Sequence, residues 1–135
     1  MTPTAIARQT AFASVTAMVQ AYRANPLQFT NPLYEFVVCT YEEEEPVLFP
    51  DPIGKMILAR MVAPVGRDIY GVLPHPEIKL LDETSYNTMC FQAMFHCPTY
   101  QRGESREFTL VNPARVKKEF ERYLLVSKGL LHLKR

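Results

Sequence analysis

The sequence predicts an α+β domain, and three observations carry that prediction. The first 24 residues hold apolar side chains at helical spacing. The middle of the chain sets short runs of β-branched and aromatic residues between prolines, and the last 25 residues read as strand end, helix and strand. With 135 residues, 47% hydrophobic and 21% charged, the chain suits one domain, 1–135, with a core of its own.

Thr4 is placed to cap a helix running to about Ala24, with Phe12, Val15, Val19 and Tyr22 at three-and-four spacing and Met18 beside them. Asn25-Pro26 ends it and Asn31-Pro32 makes a second break, because proline lacks an amide donor and pushes the residue before it out of the helical region. "LYEFVVCTY", 33–41, is then a strand, with Tyr34, Phe36, Val38 and Thr40 on one face and Glu35, Val37, Cys39 and Tyr41 on the other. Prolines 46, 50 and 52 and Gly54 mark "EEEEPVLFPDPIGK" as a loop. Segments 55–63 and 67–73, joined by Pro64-Val65-Gly66, predict a hairpin, and an irregular connector with a short strand at 78–81 follows. "YNTMCFQAMFHC", 86–97, fits strand or helix by period. Its apolar alternation favours a strand that pairs with "REFTLV", 106–111, across the polar turn between them.

In the closing stretch Asn112 is a good N-cap and Pro113 a good first helical residue. Val116, Phe120, Tyr123 and Leu124 make an apolar stripe at i, i+4, i+7 and i+8, which turns Lys117, Lys118, Glu121 and Arg122 to solvent. Lys128-Gly129 is the stop, and a right-handed crossover sets a final strand parallel to 106–111 or one place removed from it. Residues 107–135 resemble the closing part of the small linker domain of phycobilisome rod-capping and core linkers. The positions that carry the resemblance are Phe108, Val111, Arg115, Glu119, Phe120, Arg122, Lys128, Gly129 and Lys134. It implies a strand, helix and strand there and a role in assembly.

The net charge of +1 gives no bulk attraction for nucleic acid, but the distribution is polar. Six acidic groups and no lysine or arginine lie from Glu35 to Asp51, whereas Arg115 to Arg135 holds seven basic groups against Glu119 and Glu121. That polarity, with "PVLFPDP" dense in apolar residues, points to a non-catalytic interaction or assembly module with a protein partner or with itself. Its expected contacts are Glu43, Glu44, Val47, Leu48 and Phe49 in the loop, and Arg115, Lys117, Lys118 and Arg122 on the helix.

Two other classes remain open. A small enzyme or ligand-binding domain would use a pocket over the sheet with His75 or His96 beside Cys39 or Cys90. A nucleic-acid-binding protein would use the basic C-terminal helix with Tyr123 or Tyr100 as stacking groups. No catalytic residue, metal site or cofactor is expected: phosphate-loop, dinucleotide and metalloprotease patterns are absent, and Cys90, His96 and Cys97 lack the paired spacing of a zinc site. No apolar run is long enough for a membrane helix. Three cysteines and no secretory pattern predict a cytoplasmic protein, or an organelle interior if the acid-free first 34 residues form a transit peptide.

Overall fold

The computed structural model describes residues 11–61, 69–88 and 91–134. Its architecture is mostly β, so the predicted α+β class is corrected. Six strands close a barrel: β1 (Glu35–Glu42), β2 (Glu45–Pro50), β3 (Met56–Arg60), β4 (Ile69–Pro74), β8 (Ala114–Glu119) and β9 (Arg122–Ser127). Around the barrel they run in the order β1-β2-β9-β8-β4-β3, every pair antiparallel. Four more, β5 (Leu80–Leu81), β6 (Phe95–His96), β7 (Arg106–Asn112) and β10 (Gly129–Leu133), form a sheet in the order β5-β7-β10-β6.

Pairing fixes which side chains share the barrel interior. Val37 faces Met56, Leu58 faces Val72, Leu48 faces Tyr123 and Tyr70 faces Val116. Apart from half-buried Tyr70, each of these is at least 96% buried. Strand β3 is buried on both faces, and the ten-residue helix α1 (Val15–Ala24) approaches the neighbouring strand β4 from outside, with Met18 at Gly71. The absent side chain at Gly71 leaves room for Met18, whose sulfur would lie 2.4 Å from a Cβ there. The helix also ties the two layers together: the Tyr22 hydroxyl donates to the Pro74 carbonyl at 2.8 Å, and Arg23 donates twice to the Leu110 carbonyl on β7, at 2.9 and 2.7 Å.

The strands predicted at 33–41, 78–81 and 106–111 are present within a few residues, and the predicted 55–73 hairpin is β3 paired with β4. The helix at the N-terminus ends at Ala24 as expected, but it is capped by Ser14, whose hydroxyl accepts from the Ala17 amide at 3.1 Å. The Thr4 cap falls outside the described residues, as do residues 62–68 of the hairpin loop.

Four expectations are overturned. Residues 113–127 form the β8–β9 hairpin, and the strand–helix–strand pattern implied for 107–135 is replaced by strand, hairpin, strand. A helix there would leave β2 and β4 each with a row of unpaired amides and carbonyls. The hairpin satisfies both edges. The "loop" 42–54 contains β2, whose Val47 and Leu48 are 1% and 0% exposed. The last strand is antiparallel to β7, because a hairpin and not a crossover helix precedes it. Residues 86–97 are not one strand: a π-helical turn (Thr84–Thr88) leads to the one-turn helix α2 (Phe91–Met94) and then β6, which pairs in parallel with β10.

The two layers meet at Gly129. A Cβ at this position would lie 2.5 Å from both the Ala114 amide nitrogen and the Asn112 carbonyl oxygen, where β7 passes into β8. Both neighbours are backbone and cannot swing aside. Gly129→Ala is expected to cost about 2–3 kcal/mol, read as a lower urea midpoint at unchanged slope.

Candidate functional site

One end of the barrel is open, and residues from all six strands line its mouth: Glu35 and Phe36 of β1 with Pro50, Leu58, Tyr70, Lys118 and Tyr123. Only a closed barrel brings these together, since β1 and β8 stand three strands apart in either direction round the ring. The hollow measures about 630 Å³, and segments 30–34 and 50–52 extend its walls. Small-molecule sites commonly fall within ~300–1,000 Å³ and often lie in barrel mouths.

The walls are aromatic and the rim is charged. Tyr70 and Tyr123 pack edge to face with centroids 5.3 Å apart, and Tyr34 packs at a tilt on Phe29 with centroids 4.9 Å apart. Burial pushes the Tyr34 phenol above its ordinary range, so it stays protonated at neutral pH. The Tyr123 hydroxyl donates to the Glu35 carboxylate at 3.0 Å, which fixes that carboxylate on the β1 wall. Lys118 occupies the opposite wall, and among the described residues it enters no ion pair. An exposed carboxylate and an exposed ammonium, on strands three apart in the ring, thus line one hollow with aromatic walls.

Beside the mouth a second hollow of about 420 Å³ shares Glu35, Pro50, Lys118 and Tyr123 and adds Phe49 and Phe120. Phe120 and Glu121 are the two turn residues of the β8–β9 hairpin. Phe120 adopts a φ of 59° and is 87% exposed.

The expected contact residues are scattered by this arrangement. Arg115 and Lys117 point out of β8, Lys118 points into the mouth, and Arg122 is ion-paired with Glu42. Strand alternation therefore splits the basic cluster that a helix would have gathered on one face. Glu43 and Glu44 are exposed in the β1–β2 turn, Phe49 is half-buried, and the burial of Val47 and Leu48 leaves them no surface for a partner. Glu35, Tyr70 and Phe120 were not foreseen as site residues. One signal was present: Glu35 shares a face with Val37 and Cys39, and a lone charge on an apolar face marks the end of a core.

No Cys/His pair forms among the described residues. The His75 ring packs edge to face on Phe36, and its Nδ1 accepts the Glu77 amide at 3.1 Å. Cys97 is buried, His96 is exposed on β6, and Cys90 lies outside the described residues. No group of three metal-ligating side chains occurs among the described residues, and no helix there is long and apolar enough to cross a membrane.

His75 supplies a pH dependence. Burial holds its imidazole below the ordinary range, with Glu77 opposing the shift and Lys55 adding to it. Because the folded state binds a proton less readily than the unfolded chain, this contribution to stability is full above the unfolded pKa of about 6.5. It is lost as pH falls toward the lowered folded value. Urea unfolding at about pH 7.5 and about pH 5.5 is expected to show a drop that His75→Asn, which retains an acceptor for the Glu77 amide, makes smaller. Equal drops in both proteins would rule it out.

No protein-family model, no curated protein and no solved structure matches this chain.

Proposed function

We propose that the chain is a non-catalytic interaction module that binds a partner protein, or a second copy of itself, through the tip of the β8–β9 hairpin and the β2 rim beside it. The observation that supports this reading is Phe120. A two-residue hairpin turn with left-handed backbone favours asparagine or glycine. Here it carries a phenylalanine at φ 59° with its ring almost wholly in water. Left-handed backbone costs a non-glycine residue roughly 1–2 kcal/mol, and the exposed ring recovers none of it by burial within the chain. An aromatic held on a rigid hairpin beside a second aromatic, Phe49, has the chemistry of an interface anchor.

The interaction reading is favoured over a nucleic-acid reading by the placement of the cations. Arg115 and Lys117 lie on one face of β8, Lys118 on the other, and Arg122 is neutralised by Glu42. A basic stripe with aligned stacking rings is what single-stranded nucleic acid requires, and it is not assembled from these residues.

Phe120→Asn separates folding from binding. The variant is expected to raise stability by about 1 kcal/mol, since asparagine tolerates the left-handed position. The wild-type protein, examined by light scattering and native mass spectrometry, is expected to self-associate or to carry a co-purifying protein, and the variant to lose that association. Equal association in both, or a wild type that remains a lone monomer, contradicts the reading.

A further inference from the structure

We propose that the barrel mouth is a binding site for a small dipolar ligand: a flat, ring-containing molecule with an anionic group at one end and a cationic group at the other. This goes beyond the hairpin-tip reading and does not depend on it, because Phe120 does not line the mouth.

The class follows from four features of the hollow. Its volume, about 630 Å³, suits a small molecule. Its walls are the rings of Tyr34, Tyr70 and Tyr123 with Leu58, and the edge-to-face setting of Tyr70 on Tyr123, at 86°, presents two flat surfaces at a right angle. A planar ring is the shape that packs against both. The third feature is the fixed carboxylate of Glu35, held on the β1 wall by the Tyr123 hydroxyl at 3.0 Å. Its remaining acceptor positions suit a cationic donor.

The fourth feature is Lys118, on β8 and hence across the ring from β1, without an ion pair among the described residues. Opposite charges that line one hollow from strands three apart, with no ion pair between them, can each be satisfied by one molecule whose own charges are reversed in order. A purely cationic ligand would leave the ammonium facing its body, and a purely anionic one would set its charge toward Glu35. The dipolar molecule meets both groups with charge-assisted hydrogen bonds.

The test uses 4-(aminomethyl)benzoate, which carries an ammonium and a carboxylate at opposite ends of one ring. Benzylamine, 4-methylbenzoate and 4-methylbenzamide serve as cationic, anionic and neutral counterparts. Titration of isotope-labelled full-length chain by NMR is expected to give saturable shifts at Glu35, Leu58, Tyr70, Lys118 and Tyr123. The zwitterion should bind about tenfold more tightly than any single-charge analogue. Glu35→Gln, which keeps an acceptor for Tyr123, and Lys118→Gln should each weaken the zwitterion by about tenfold while leaving benzamide binding unchanged. Phe120→Asn should leave all four affinities unchanged, so failure of the hairpin reading and failure of this one are read separately. Absence of saturation by the zwitterion to about 20 mM, equal affinity for all four probes, or indifference to both charge substitutions overturns the proposal.

Discussion

The structure depends on a short seam. Strands β2 and β9 are joined by only two residue pairs, Val47 with Leu124 and Leu48 with Tyr123, and this joint closes the barrel. Without it the strands would form an open sheet whose outer members, β2 and β9, each expose backbone donors and acceptors. Closure also makes the interior. Leu48 and Tyr123 are 0% and 4% exposed because the far wall of the barrel covers them. The mouth exists for the same reason, since Glu35 and Lys118 confront one another only when the ring is complete.

Both strands of the seam belong to hairpins with costly turns. The three described non-glycine residues with positive φ are Glu43, Glu44 and Phe120, and all three lie in the turns that start β2 and β9. The turns are tolerated because the strands behind them are locked: β2 pairs with β1 over six residue pairs, and β9 pairs with β8 over five. Backbone strain at these tips is offset by ladder bonds and by burial of Val47, Leu48, Val116 and Tyr123. The two tips also differ in chemistry. One presents two exposed carboxylates and the other an exposed aromatic ring.

The same turns explain what could be read in the sequence. The β1 strand, the β3–β4 hairpin and β7 were legible, because each is a β-rich run bounded by proline, glycine or polar turn residues. Strands β2, β8 and β9 were not. "EEEEPVLFP" holds a charge run and two prolines in place of an Asn-Gly or Asp-Gly signal, and "KKEFER" has helix-favouring composition and a helical apolar spacing. Phe120 shows where the helical reading fails. As a stripe residue it should be buried, yet it is among the most exposed side chains, whereas Val116 and Tyr123 are buried on one strand-period face. Local preference for helix lost to the demand of β2 and β4 for hydrogen-bonding partners, a demand that only the closed ring makes visible. The mouth was hidden for the same reason, as the strand residues that line it are spread from position 35 to position 123.

The most direct test of barrel closure is amide hydrogen exchange at Val47, Leu48, Tyr123 and Leu124 under native conditions. A closed barrel predicts that the amides of this group that bridge β2 and β9 exchange as slowly as the central amides of β3 and β4, opening only with global unfolding. Fast exchange across the seam, with β3 and β4 still protected, would mean that the ring is open and that neither the mouth nor the hairpin edge exists as described.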